Sequence, residues 1–318
     1  MKKTLLLDLD PDCSYLLCTH REPDPDGLGA LLALWSYGIN QGMSIKAYVD
    51  HYPSYMSWMP GLSELKNPDY EDLASDFCLI ALDCGQLSRI WPADIAAKAF
   101  SLINIDHHLD NDAFGQHNFI DTEVSSTCEL LFNYMEHYQV SRSEDINENL
   151  LAGILFDTGG LRYPNTHPNT LSVVSQLMKD GASLTAISEK VFNRWTRQSY
   201  IALELALANI SFPLGEEFLL SWIPFESINQ AGLKDLDFEG VVQVLREHYC
   251  AQIIVLVRET RLGKYKASLR SKGKFAVHDI AHHFHGGGHA QAAGFIAKTT
   301  SGEALKQEIL TLVREKLL

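Results

Sequence analysis

Four short apolar runs, Tyr15 to Thr19, Ile45 to Val49, Phe77 to Leu82 and Leu102 to Ile105, alternate with helix-like stretches over the first two thirds of the chain. Continuous apolar runs of this length fit strands buried on both faces. Interleaved helices argue for a parallel sheet, because parallel neighbours need crossover connections and the crossovers cover the sheet. The expected fold class is therefore α/β, with a parallel-sheet N-terminal domain carrying helices on both faces. Residues 27–40 are apolar nearly all round, which predicts a buried helix after the first strand. Residues 183–209 predict one long helix ending before Ser211, Pro213 and Gly215. Strands over 218–223, 253–258 and 265–270, with a helix over 238–247, predict a smaller α+β C-terminal domain. A chain of 318 residues exceeds the usual single-core size. The expected division is 1–190, a connecting helix at 191–209, and 210–318.

Composition removes several classes. Hydrophobic residues at 46% and charged residues at 21% exclude a disordered or fibrous chain. Six cysteines without a C-x-x-C spacing, several of them in apolar runs, read as reduced core residues, which argues against zinc ribbons and disulfide frameworks. The opening apolar run is too short for a secretory segment, and the longest uncharged apolar stretch falls short of the ~20 residues that span a bilayer. The expectation is a soluble, cytoplasmic protein without a membrane partner.

A net charge of −14 argues against duplex DNA as a partner. The charge is uneven, −20 over residues 1–240 and +6 over 241–318. Arg261, Lys264, Lys266, Arg270, Lys272 and Lys274 lie within fourteen residues that contain no acid. They read either as a solvated hairpin edge or as a subsite for an anionic substrate.

Ligand sites in open parallel sheets gather beyond the carboxyl ends of the strands. Four clusters of metal-compatible side chains lie beside apolar elements, mostly at such ends: His20, Asp24 and Asp26 in THREPDPDGLGA, Asp83 in LIALDCG, Asp106, His107 and His108 in INIDHHLDN, and Asp157 in AGILFDTGGLRY, whose apolar segment reads as strand or helix. Each aspartate alone fits a helix cap or a turn. Together Asp24, Asp26, Asp83 and Asp157 would carry −4, a repulsion that calls for cations. Oxygen ligands with one or two imidazoles suit Mn²⁺ or Mg²⁺. Two such ions roughly 3.5–4 Å apart clamp the attacking and leaving oxygens of a phosphoryl transfer, so the expected reaction class is phosphoester hydrolysis.

These motifs resemble the DHH phosphoesterase family over nearly the whole chain. His20 to Gly27 matches the first family motif, Asp83 the second, Asp106-His107-His108 with Asn111 the third, and Asp157-Thr158-Gly159 the fourth. HGGGHAQAAGF, His285 to Phe295, resembles the glycine-rich signature of the DHH-associated C-terminal domain, and Ser268 to Gly273 the strand before it. The combination is most similar to the nanoRNA hydrolase and phosphoadenosine phosphate phosphatase subfamily. The first motif departs from many relatives by Pro25 where they have Gly.

The resemblance implies one Mn²⁺ on His20, Asp24 and Asp83 and a second on Asp26, Asp83, His107 and Asp157, with Mg²⁺ as the alternative metal. It implies His108 facing the scissile phosphate as the catalytic group, with Asp106 and Asn111 orienting the ligands. Arg270, Ser271, Gly287, Gly288 and His289 are expected to hold a terminal phosphate or sugar, aided by a helix starting near His289. Arg162 is a further phosphate-binding candidate because a guanidinium binds two oxygens at once. Thr127 and Tyr163 are left outside the expected site.

The expected substrate is a short single-stranded RNA or a dinucleotide, cut to mononucleotides, with 3′-phosphoadenosine 5′-phosphate as a related substrate. A cyclic dinucleotide phosphodiesterase and a non-catalytic nucleotide sensor are the competing readings. The oligomeric state, monomer or homodimer, stays open.

Overall fold

The computed structural model describes the whole chain except residues 1–8, 11–12, 50, 66, 68–76, 91–93, 193–194, 249 and 318 and the side chains of His248 and His289. It divides into two compact units, Met1–Arg194 and Trp195–Leu318.

The first unit contains five parallel strands, β1 (Ser14–Thr19), β2 (Ser44–Tyr48), β3 (Phe77–Leu82), β4 (Ser101–Asp106) and β5 (His117–Ile120), in the order β2-β1-β3-β4-β5. The helices are α1 (Pro25–Asn40), α2 (Ile95–Lys98), α3 (Thr127–His137), α4 (Glu144–Asp157), α5 (Pro168–Lys179) and α6 (Leu184–Phe192). Successive side chains of β1 point to opposite faces. Tyr15 and Leu17 join one core with α1, α3 and α4, while Leu16 and Cys18 join another with Ile90 and Ile95 of α2. Both faces of the central strands are thus dry, which is why the runs read as continuously apolar. The strand order reverses between β1 and β3, so the carboxyl ends of these two strands open the crevice where α/β sheets place ligands.

The second unit begins with α7 (Arg197–Ala208) and contains β6 (Ile210–Ser211), β7 (Phe218–Ile223), α8 (Phe225–Gln230), α9 (Val241–His248), β8 (Ile253–Arg261), β9 (Lys264–Ser271), α10 (His278–His283), β10 (Gly287–His289), β11 (Ala292–Lys298) and α11 (Gly302–Leu317). Its sheet runs β10-β11-β9-β8-β7-β6, antiparallel except for the β7–β8 pair. One face packs on α10 and α11, and the other on α7, α8 and α9.

Two expectations are corrected. The single helix over 183–209 is two helices, α6 and α7. Thr196 restarts the second: its side chain accepts a hydrogen bond from the Ser199 amide at 3.1 Å, a cap that apolar periodicity does not reveal. No helix starts at His289. Gly287–His289 is a strand hairpinned onto β11. A Cβ on Gly286 would lie 2.2 Å from the Gly294 carbonyl oxygen, and one on Gly288, at φ +133°, 2.4 Å from that of Ala292, so these two glycines let the hairpin close. No described helix is long and apolar enough to cross a membrane.

Candidate metal centre

The carboxyl ends of β1, β3 and β4 deliver most of the acids and imidazoles. Beyond β1, Asp24 caps α1, its Oδ1 accepting from the amides of Asp26 at 3.0 Å and Gly27 at 3.1 Å. The other oxygen, Oδ2, faces His20 Nε2 at 3.9 Å. His20 Nδ1 lies 3.0 Å from the Arg21 carbonyl, which only accepts, so Nδ1 keeps its proton in either charge state and Nε2 is the nitrogen turned toward the acids, free to ligate once it is deprotonated. Asp83 follows β3 with φ +56°, a left-handed backbone that costs an ordinary residue about 1–2 kcal/mol. Strain of this kind gathers at functional sites. Its Oδ2 lies 3.6 Å from His20 Nε2, and its Oδ1 lies 3.8 Å from His107 Nε2 and 3.5 Å from His108 Nδ1.

Asp26 and Asp157 complete the nest. Asp26 is fully buried on the first turn of α1, and both of its oxygens accept amides from the start of α3, Thr127 N at 2.7 Å and Cys128 N at 2.9 Å. Asp157 is the last residue of helix α4, which settles the strand-or-helix alternative, and its Oδ2 lies 3.1 Å from His107 Nε2. Helix α4 can come this close because of Gly153: a Cβ there would lie 2.6 Å from Asp26 Oδ1.

Asp106, at the end of β4, is fully buried, and its Oδ1 pairs with His108 Nδ1 at 2.6 Å and accepts the His107 amide at 2.9 Å. Its Oδ2 accepts from Asn111, whose amide also donates to Asn104 Oδ1 at 2.8 Å.

Three groups bring ligand atoms within 4.8 Å of one another: His20–Asp24–Asp83, Asp26–His107–Asp157, and Asp83–His107–His108. The charges respond to the crowding. Burial pushes His20 down, but the Asp24 and Asp83 carboxylates outweigh it and raise it to about 10. Burial likewise pushes His107 down, but Asp157, Asp26 and Asp83 outweigh it and raise it to about 10. His108 is raised against burial by Asp106 and Asp83. Burial, with Asp157 and Asp83 nearby, holds Asp26 well above the usual carboxylate range, and burial raises Asp157 to about 6 against the pull of His107. For Asp83 burial is outweighed by its three imidazoles, which hold it well below that range. Carboxylates and imidazoles are the donors that hard or borderline divalent cations take, and no thiolate reaches the three groups. The residues fit two such ions.

Thr127, left out of the sequence-based site, belongs beside it. Besides its amide on Asp26, its hydroxyl donates to Asp83 Oδ1 at 3.1 Å. Cys128 reaches the Asp26 carboxylate through its backbone amide, which leaves no trace in residue type, and its Sγ donates to the Asp26 carbonyl at 3.4 Å. Tyr163 packs against Gly159, where a Cβ would lie 2.2 Å from its ring. Arg162 is exposed, and its Nε donates to the Gly159 carbonyl at 2.6 Å.

In the second unit the face of β9 carrying Lys264, Lys266, Ser268 and Arg270 is half-exposed, and the face carrying Tyr265, Ala267, Leu269 and Ser271 is buried. The Ser271 hydroxyl donates to the Phe275 carbonyl at 2.6 Å, and Arg270 Nη1 to the Leu269 carbonyl at 2.9 Å. A Cβ on Gly287 would meet nothing within 4 Å. The backbone of His289 ends β10, and its side chain lies outside the described structure.

Residues 14–156 match the DHH family, N-terminal domain, and residues 217–317 match the DHHA1 domain. The bifunctional oligoribonuclease and PAP phosphatase NrnA of Thermus thermophilus is 29% identical over 95% of this chain and 89% of its own, and that of Bacillus subtilis is 25% identical over 99% of both. Among solved structures, an exopolyphosphatase-related protein from Bacteroides fragilis superposes with a TM-score of 0.85 at 27% identity, covering 94% of this chain and 92% of its own. RecJ of Thermus thermophilus in complex with Mn²⁺ shares the fold, with a TM-score of 0.52 at 14% identity over 95% of this chain and 52% of RecJ. Two domain matches in this order, together with relatives alike over nearly their full length, make the chain a member of the DHH phosphoesterases, with a DHHA1 domain following the DHH domain.

Proposed function

We propose that the protein is a Mn²⁺-dependent phosphodiesterase that cuts short RNA oligonucleotides and dinucleotides to mononucleotides and also removes a phosphate from 3′-phosphoadenosine 5′-phosphate. The observation that carries the reading is the set of three ligand groups linked through Asp83 and His107. The oligoribonuclease and PAP phosphatase activities of the NrnA relatives supply the substrate class.

His20, Asp24 and Asp83 would hold one ion and Asp26, Asp83, His107 and Asp157 the other. Bound there, divalent ions would supply Lewis acidity toward a phosphoryl group and make water acidic enough to attack at neutral pH. The chain's own residues supply the rest. His108 presents Nδ1 to Asp106, which fixes the ring and assigns Nε2 to the substrate. Asp106 and Asp83 raise its pKa against burial, which favours the charged ring that would stabilise the phosphate's charge or give a proton to the leaving oxygen.

Arg162, Arg270 and the amides of Gly287 and Gly288 are assigned to substrate phosphate or sugar, together with His289. Ser271, its hydroxyl committed to Phe275, serves that group by shaping the turn after β9. The test is product analysis on labelled di- to pentanucleotides with Mn²⁺, set against 3′-phosphoadenosine 5′-phosphate and a cyclic dinucleotide in one buffer. Mononucleotide release, with cyclic dinucleotide processed far more slowly, is the expected result. Asp83→Asn should abolish turnover while the far-ultraviolet circular dichroism stays unchanged. No turnover of linear substrates by metal-loaded protein sinks the proposal.

A further inference from the structure

Glu129, on the first turn of α3, is 1% exposed and belongs to none of the three metal-compatible groups, yet four donors converge on its carboxylate. Oε2 accepts from the Ser125 amide at 3.1 Å, from the Ser125 hydroxyl, and from the Thr170 hydroxyl at 2.8 Å, and Oε1 accepts from Asn169 Nδ2 at 2.8 Å. The carboxylate therefore ties the start of α3 to the start of α5. Ser125 is held from a third side: its carbonyl accepts from Asn165 Nδ2 at 3.0 Å, and the same amide donates to the Asp157 carbonyl at 3.2 Å.

We infer that Glu129 is the positioning residue for the Asp26–His107–Asp157 subsite, acting through the start of α3 and the 157–170 loop. Two members of that group depend on what Glu129 ties down. The Asp26 carboxylate accepts from the Thr127 and Cys128 amides, one and two residues past the Ser126 cap, and the Asp157 carbonyl accepts from Asn165. The other subsite meets the start of α3 only through the shared Asp83, whose Oδ1 accepts from the Thr127 hydroxyl; Asp24 is held by the first-turn amides of its own helix and His20 by the neighbouring Arg21 carbonyl. Loss of Glu129 would leave three buried donors, the Ser125 amide and hydroxyl and the Thr170 hydroxyl, without their acceptor and let the start of α3 shift, moving the cradle of Asp26 while leaving that of Asp24 in place.

The inference rests on the two-ion reading above, and the experiment separates their failures. Metal-free protein is titrated with Mn²⁺ by calorimetry, with bound ions counted by electron paramagnetic resonance. Wild type is expected to take up two ions. Glu129→Ala should weaken one of them by roughly 10- to 100-fold, the range for residues that orient metal ligands, and leave the other within about 3-fold. Glu129→Gln keeps an acceptor facing Ser125 and Thr170 and should restore most of the loss. Thr170→Val, which keeps the shape but removes the donor to Glu129 together with the acceptor of the His167 amide, should weaken the same ion by the roughly 2- to 10-fold that one hydrogen bond carries and serves if the alanine variant does not fold. Equal weakening of both ions, or no weakening in any folded variant, overturns the inference. A wild-type protein that takes up fewer than two ions overturns the two-ion reading beneath it.

Discussion

Loading the centre should expel protons, and the number follows from the structure. Nε2 of His107 faces carboxylate oxygens at 3.1, 3.8 and 4.0 Å, and that of His20 faces them at 3.6 and 3.9 Å. Without cations these acids raise both imidazoles to about 10, so at pH 7.5 each is almost fully protonated. A ligating imidazole must be neutral. Stripping each proton at pH 7.5 costs about 3 kcal/mol, at about 1.4 kcal/mol per pH unit. Each subsite's affinity should therefore rise about 10-fold per pH unit, or about 100-fold between pH 6.5 and 8.5. Uptake of two ions at pH 7.5 should release about two protons from the imidazoles. Calorimetric titration with Mn²⁺ in buffers of different ionisation enthalpy reads the number directly. The same groups set the stability of the metal-free protein. A folded-state pKa above the unfolded value gives stability fully present below about 6.5 and lost as the pH rises toward 10. Metal-free protein should therefore become less stable across that window, and loaded protein should not. Affinity flat from pH 6.5 to 8.5, or release of fewer than one proton per ion pair, would refute the reasoning.

Two substitutions probe separate parts of the chain. Asp106→Asn removes the charge that helps raise His108 but keeps an acceptor for its Nδ1, so the alkaline limb of kcat against pH should move to lower pH, with a loss of roughly 10²- to 10⁴-fold at pH 8 and less at pH 6. An unmoved limb would remove His108 as the proton donor. Gly286→Ala pushes a Cβ into the Gly294 carbonyl and Phe295 and should cost about 1–3 kcal/mol in urea unfolding, whereas Gly287→Ala meets open space and should leave the midpoint nearly unchanged; equal effects would contradict the hairpin geometry.

The central strands were legible because burial on two faces forces the apolar runs that mark them. What escaped had little such pressure. Edge strand β5 is exposed or half-exposed along its whole length, and β10 is three residues, two of them glycine. The break between α6 and α7 was hidden because apolar spacing continues across it, and only the Thr196–Ser199 capping pair betrays it. The glycine run before His289 was read as the approach to a helix. Gly286 and Gly288 are needed instead because two strands meet there without room for a Cβ.

The acids of the centre could be read from their places at strand ends, but each reading competed with a cap or a turn, and the structure shows why the competition was false. A carboxylate has two oxygens. Asp24 spends Oδ1 on the amides that start α1 and turns Oδ2 toward His20. Asp106 divides its pair between the histidines of its own loop and Asn111. The structural bond fixes the orientation that the chemistry needs, so a capping role for one oxygen strengthens the case that the other is a ligand. What residue types could not announce is the backbone's share. Asp26, fully buried among like charges, is held by two amides whose side chains are those of Thr127 and Cys128, and nothing in those names says that their nitrogens meet at one carboxylate. The signal lay one step away, in a serine followed three residues later by a buried glutamate: a helix start that needs so much anchoring is one whose amides are in use.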